Sequence, residues 1–118
     1  MGETIEINIL TTATEGSPID GTATVGRGIL QNAQILFAQG VNGTNYCRIF
    51  NGATQLFPRT ASGSYRLVQS PIQIWDEEPL TSASNIIHLK GWASGASYKH
   101  IVRLIFDVIP FDRPELII

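Results

Sequence analysis

The chain has 118 residues, the size of a single domain, and only 15% of them are charged against roughly 25% in ordinary soluble domains. Its net charge is −2 and its six arginines are scattered, so no basic stripe exists to neutralise phosphates and nucleic-acid binding is not expected. The single cysteine excludes an internal disulfide, the acidic start is unlike an export signal, and no apolar run is long enough to cross a membrane.

These features predict a soluble protein made in the cytoplasm, with no membrane partner. The low charge has a further implication, because Lys and Glu normally collect on solvated surfaces and are depleted at interfaces. Lys90 and Lys99 are the only lysines. Either Ser, Thr, Asn and Gln cover the surface instead, or, as we expect, much of the outside is buried against other subunits.

The first predicted strand runs from Glu3 to Thr11, where Ile5, Ile7 and Ile9 alternate with polar residues. A polar loop is predicted from Thr12 to Gly21 because Gly16-Ser17-Pro18 breaks regular structure, and a short strand is predicted at 22–25. The segment 29–39 is ambiguous. Its Ala and Gln residues and its apolar spacing fit a helix, but we favour a strand from about residue 34 with one helical turn before it.

Two Asn-Gly pairs indicate hairpin turns, because the central residues of such turns take positive φ. The first, Asn42-Gly43, follows the ambiguous segment. The second, Asn51-Gly52, predicts a two-residue loop between strands at 46–50 and 53–57. In that register Phe50 faces Ala53 and Cys47 faces Leu56.

The long strand Ile101–Ile109 is the clearest element, since it has five β-branched residues and neither Gly nor Pro. Val102, Leu104, Phe106 and Val108 share one face, which we expect to meet Ile5, Ile7 and Ile9 in one interior. The other strands are predicted at 64–69, 72–75 and 85–92, with an exposed loop at 76–84. About eight short strands separated by frequent turns predict an all-β, single-domain antiparallel β-sandwich or jelly roll.

Groups able to do chemistry are sparse. His88 and His100 lie on the last two strands and could be cross-strand neighbours, and Cys47 could be a third zinc ligand or a nucleophile. The favoured reading is two partly buried polar residues and a buried cysteine. The acidic run at 76–78 is read as a solvated loop rather than a calcium site, and Gly26-Arg27-Gly28 as a turn. We expect no cofactor, no metal and no enzymatic activity.

The aromatic residues offer an alternative function. Trp75 and Trp92 border loops at strand ends, where β-sandwich lectins build sugar-stacking platforms. The competing interpretation is that both tryptophans cap the ends of the core.

In its composition and turn pattern the whole chain resembles the small all-β virion proteins of tailed phages, especially the jelly-roll cement or decoration proteins. The features that carry it are Asn-Gly and Ser-Gly turns, Ile- and Thr-rich strands, few lysines and one cysteine, with no fingerprint motif. The resemblance implies self-association, often as trimers, attachment to a major capsid protein and location in the virion. The alternatives are a receptor- or carbohydrate-binding β-sandwich, such as a fibre tip, and a small cupin-like enzyme.

The C-terminal residues do not continue the strand pattern. Two prolines favour an extended conformation, so we expect residues 1–110 to form the sandwich and residues 111–118 an extended arm. The arm is predicted to dock on a neighbouring subunit or capsid protein, with a fold-back edge strand as the alternative. Its predicted interface residues are Phe111, Asp112, Arg113, Leu116, Ile117 and Ile118.

Overall fold

Ten β-strands and no helix make up the part of the chain that the computed structural model describes, residues 2–37, 43–60, 63–68, 70–95 and 99–111. No helix in those residues is long and apolar enough to cross a membrane. The strands are β1 Gly2–Ile9, β2 Ile19–Val25, β3 Gly28–Phe37, β4 Asn45–Asn51, β5 Thr54–Phe57, β6 Tyr65–Arg66, β7 Ile72–Ile74, β8 Glu78–Leu80, β9 Asn85–Ala93 and β10 His100–Ile109.

The strands form two antiparallel sheets of five strands each, as expected for a β-sandwich. Sheet 1 has the order β1-β10-β3-β7, with β8 also paired to β3. Sheet 2 has the order β2-β9-β4-β5, with β6 also paired to β4. Since β7 and β8 pair with different parts of β3, and β5 and β6 with different parts of β4, each sheet is four positions wide.

The pairing of β1 with β10 confirms the predicted interior. Ile5 lies opposite Leu104 and Ile7 opposite Val102. These four side chains are buried together with Ile9 and Phe106, and Val108 is partly buried and packs against the same core. Alternate residues of both strands therefore face the second sheet, as their period of two predicted.

The segment 28–37 is one strand, so the helical turn considered before residue 34 is absent. The reason for the ambiguity is a β-bulge: between Ile105 and Asp107 the partner β3 advances by three residues instead of two. Asn32 within this bulge has φ 55. The extra residue shifts the alternation, so that Leu30, Ala33 and Ile35 are all buried. A spacing of three followed by two interrupts the period of two by which a strand is identified.

The hairpin between β4 and β5 has the predicted two-residue loop in a different register. Asn51 pairs with Thr54, so the loop residues are Gly52 and Ala53 rather than Asn51 and Gly52. Gly52 has the predicted positive φ, +59°, and Ala53 does not. Positive φ at the first loop residue alone is the pattern of a type II′ turn instead of type I′.

The rest of the predicted hairpin register is also wrong. Phe50 lies opposite Gln55 because a bulge follows Ile49, and Cys47 lies opposite Tyr65 of β6 and Gly91 of β9. The bulge places one extra residue in β5, which is why Leu56 and Phe57 are buried although they are consecutive.

Three other predictions need correction. Strands β3 and β4 lie in different sheets, so the Asn42-Gly43 pair does not connect a hairpin. Strand β2 begins at Ile19, inside the predicted loop, because Thr14 and Ser17 close a tight turn just before it. The predicted loop at 76–84 contains β8, which pairs with the first residues of β3.

Two glycines let the edge of sheet 1 approach sheet 2 closely. A Cβ atom at Gly21 would lie 2.6 Å from Cγ2 of Ile7, and one at Gly91 would lie 2.6 Å from Cδ1 of Ile9. Since real side chains do not approach so closely, β1 can pack against β2 and β9 only where these positions have no side chain.

Candidate interaction surfaces

The two histidines lie in different sheets, so the expectation that they could be cross-strand neighbours is wrong. His88 in β9 lies opposite Thr22 and Phe50, whereas His100 in β10 lies opposite Ile9. His88 Nδ1 is 3.0 Å from an Asp20 carboxylate oxygen. Within the described ranges, no three His, Cys, Asp or Glu residues come together in a way that could hold a metal ion.

Cys47 is fully buried in the centre of sheet 2. Burial raises the pKa of its thiol from 9.0 to about 12. A thiol with so high a pKa is protonated at neutral pH and is therefore a poor nucleophile. Its place in the core is that of a small apolar side chain, as the sequence indicated.

The acidic loop is held by an arginine that the sequence did not single out. Arg59, just after β5, donates to Glu78 Oε1 at 2.6 Å and to the Glu77 carbonyl oxygen at 2.7 Å, and its Nε lies 3.7 Å from Asp76 Oδ2. Its guanidinium also lies 4.9 Å from the centre of the Phe57 ring. Arg59 thus links the edge of sheet 2 to the edge of sheet 1, a role that spacing in the sequence does not reveal.

Trp92 lies on the outer face of sheet 2 but is covered by neighbouring side chains. The ring is 7% exposed and stacks on Tyr46, with 5.8 Å between ring centroids and 13° between planes. The guanidinium carbon of Arg48 lies 4.7 Å from the Trp92 ring centre. Arg48 is itself held by Glu15 and by the Gly63 carbonyl oxygen. This cluster packs one indole face on tyrosine and sets a cation near the ring.

Trp75 has the opposite environment. It follows β7 at the edge of sheet 1, and 86% of its surface is exposed. Trp75 and Trp92 belong to different sheets, and the structure does not bring them into one platform. An exposed tryptophan is a large apolar surface with an N–H donor, the type of residue that anchors many binding interfaces.

A groove of about 440 Å³ lies at one end of sheet 1, between the end of β3 and the start of β10. Its lining residues are Leu36, Phe37, Ser70, Ile101 and Arg103. The Ser70 hydroxyl accepts from the Phe37 backbone N–H at 3.2 Å, and Arg103 Nε donates to Glu6 at 2.7 Å. The sequence did not point to this groove, because it forms only when the two strands pair.

A second cavity, of about 460 Å³, lies at the other end of the sandwich. It is lined by Gly26, Arg27, Ala83, Pro110 and Phe111, and Phe111 is 42% exposed. Arg27 lies in the predicted turn between β2 and β3. The chain thus leaves β10 at the end opposite the groove. The other predicted interface residues, Asp112, Arg113, Leu116, Ile117 and Ile118, lie outside the described residues.

Comparison with known proteins does not assign the chain to a family. No protein-family model, curated protein or solved structure matches it.

Proposed function

We propose that this protein is a non-enzymatic structural component of a virion, a capsid cement or decoration protein. In this role it self-associates, as a trimer in the resemblance described above, and clamps neighbouring subunits of a major capsid protein. The observation that carries the proposal is the number of large apolar side chains exposed on a small, charge-poor sandwich. They are Leu10, Val68, Trp75, Ile86, Ile101 and Phe111.

A single exposed apolar side chain of this size is common on protein surfaces. Trp75 is unusual because most of its large ring is exposed to solvent. Only 15% of the residues are charged, and a low content of Lys, Glu and Asp is typical of interfaces. Burial of these side chains against other subunits would remove that surface from solvent. A protein that works within a lattice has such neighbours on several sides.

We also propose that the sandwich is a jelly roll, a fold found in viral capsid proteins, lectins and cupins. The support is the nested order of strand pairing. The first strand pairs with the last, β2 with β9, β3 with β8 and β7, and β4 with β5 and β6. A long antiparallel ribbon rolled around a barrel axis has this order, and the rolling brings β10 beside β3 and β9 beside β4.

Deletion of residues 111–118 tests the proposed role of the arm. We expect the truncated protein to keep its melting temperature but to lose its oligomer or its binding to capsids, measured by light scattering and by co-sedimentation. If the truncation unfolds the protein, the segment belongs to the core and the arm hypothesis is wrong. Co-sedimentation with capsids that lack the protein tests the capsid partner directly, and no binding by the intact chain would overturn the proposal.

A receptor- or carbohydrate-binding β-sandwich is the second candidate, and Trp75 is the observation that favours it. Its exposed ring could stack on a sugar, and the adjacent Asp76 carboxylate could accept hydrogen bonds from hydroxyl groups. A glycan array probed with the intact protein and with Trp75→Ala tests this function. Binding that is lost in Trp75→Ala but kept in a control, Ile86→Ala in the other sheet, would favour the lectin.

A further inference from the structure

We propose that the groove lined by Leu36, Phe37, Ile101 and Arg103 receives the segment 115–118 of a neighbouring copy of this chain. Copies would then associate head to tail, each filling the groove of the next. The inference rests on the proposed self-association and adds the receiving surface and its direction.

The chemistry of the groove defines what it can bind. Its walls include the partly buried Leu36 and Phe37 and the exposed Ile101, and one side carries the Arg103 guanidinium. That group has five N–H donors, and its contact with Glu6 uses only one nitrogen, Nε. Within the described ranges Arg103 has no second carboxylate partner. The groove therefore suits a branched apolar segment with an adjacent carboxylate.

The segment that follows Pro114 has this composition. Glu115 supplies a carboxylate, and Leu116, Ile117 and Ile118 supply three branched apolar side chains in succession. A guanidinium binds a carboxylate through two parallel hydrogen bonds, which would fix the position of the segment along the groove. Apolar side chains beside that pair would displace water from Leu36 and Ile101.

The length of the chain prevents a copy from filling its own groove. Strand β10 runs from the groove to the opposite end, so Arg103 lies about 26 Å from Phe111 at the usual rise of a strand. Ile118, at the far end of the segment, is seven residues beyond Phe111 and can reach at most about 25 Å when fully extended, which falls short of the groove residue Ile101, about 33 Å from Phe111 at the rise of a strand. The neighbouring groove is thus the one that this segment can occupy.

An interface of this kind joins two different surfaces, so its symmetry is heterologous. If the rotation between copies closes, the product is a closed assembly: two copies that exchange segments form a dimer, and three or more copies form a ring. If it does not close, the product is a filament. A symmetric dimer built on one shared patch would not have a donor and an acceptor side.

Mixing two defective full-length variants tests the direction of assembly. Arg103→Glu disables the groove, and Leu116→Asp disables the segment. Arg103 is not part of the buried core, and Leu116 lies outside the described residues. Each variant alone should self-associate at least about tenfold more weakly than the wild type, because loss of an anchor contact typically has this effect. Mixed, they should form a one-to-one dimer and nothing larger, since one working groove and one working segment remain. The measurement is sedimentation velocity, with melting curves to verify folding.

Charge exchange supplies the second arm of the experiment. Glu115→Arg alone should weaken self-association, and Glu115→Arg combined with Arg103→Glu should restore it. Arg27→Glu makes the same charge change at the other end of the sandwich and is the control. If the wild type associates but neither the mixture nor the charge exchange behaves as described, the groove assignment is wrong while the proposed self-association stands. If the wild type is monomeric at every concentration, both are wrong.

Discussion

Phe106→Ala tests the core that β1 and β10 build together. The Phe106 side chain is completely buried in the central strand of sheet 1. Removing the ring forfeits about 2 kcal/mol of transfer free energy. A residual cavity on the order of 60–80 Å³ adds about 1.5–2 kcal/mol at roughly 24 cal/mol per Å³. We expect the free energy of unfolding to fall by about 3–5 kcal/mol in total.

Urea denaturation followed by tryptophan fluorescence measures this change, with the slope of the transition as a check that both proteins unfold in the same way. The matched control is Ile101→Ala on the same strand, whose side chain is 48% exposed on the opposite face. It should cost less than about 1 kcal/mol, since little of its burial is lost. A loss below about 1 kcal/mol for Phe106→Ala would show that the core tolerates a cavity here, and the assigned packing of the strand would be wrong.

Three further substitutions follow from the turn, the buried thiol and the link between sheets. Gly52→Val should destabilise by about 1–3 kcal/mol, because a β-branched residue resists positive φ, whereas Ala53→Val should change the urea midpoint little. The folded pKa values of Cys47 and Tyr65 are raised to about 12, so unfolded chains release these protons first and stability should fall as pH rises from about 9 to 12. Cys47→Ala should flatten the lower part of that pH profile; an unchanged profile would contradict the assignment. Arg59→Met should lower stability by less than about 1 kcal/mol, and this loss should shrink in high salt because the pair is exposed.

The sequence predicted correctly the strands that can be recognised from their own residues, without knowledge of the strand they pair with. β1 and β10 each bury alternate residues on one face, so their positions and buried faces could be inferred from local pattern, and the position of β9 could be inferred as well. β3 has an equally strong apolar content, but the bulge at Asn32 shifts its alternation and made it ambiguous. A bulge depends on the partner strand, and the partner is not visible in a local window.

Sheet membership was the main feature that local pattern could not supply. The Asn42-Gly43 pair predicts a hairpin, yet its flanking strands belong to different sheets, and the same is true of the strands that carry His88 and His100. Both errors come from assuming that consecutive strands pair, which holds in only about two-thirds of cases. The groove at Ile101 and the Arg59 link escaped detection for the same reason, since each joins residues distant in sequence.

The central place of β10 in sheet 1 has a consequence for synthesis. β10 is the last of the ten strands to leave the ribosome, and it must enter between β1 and β3, which have no other partner on those sides. At about 5–20 residues per second, the chain between Phe37 and His100 takes roughly 3–12 s to make. During that time sheet 1 has two open edges, each able to bind the edge of another nascent chain. Yield in the cell should therefore depend on chaperones and on low expression temperature more than on the stability of the finished fold.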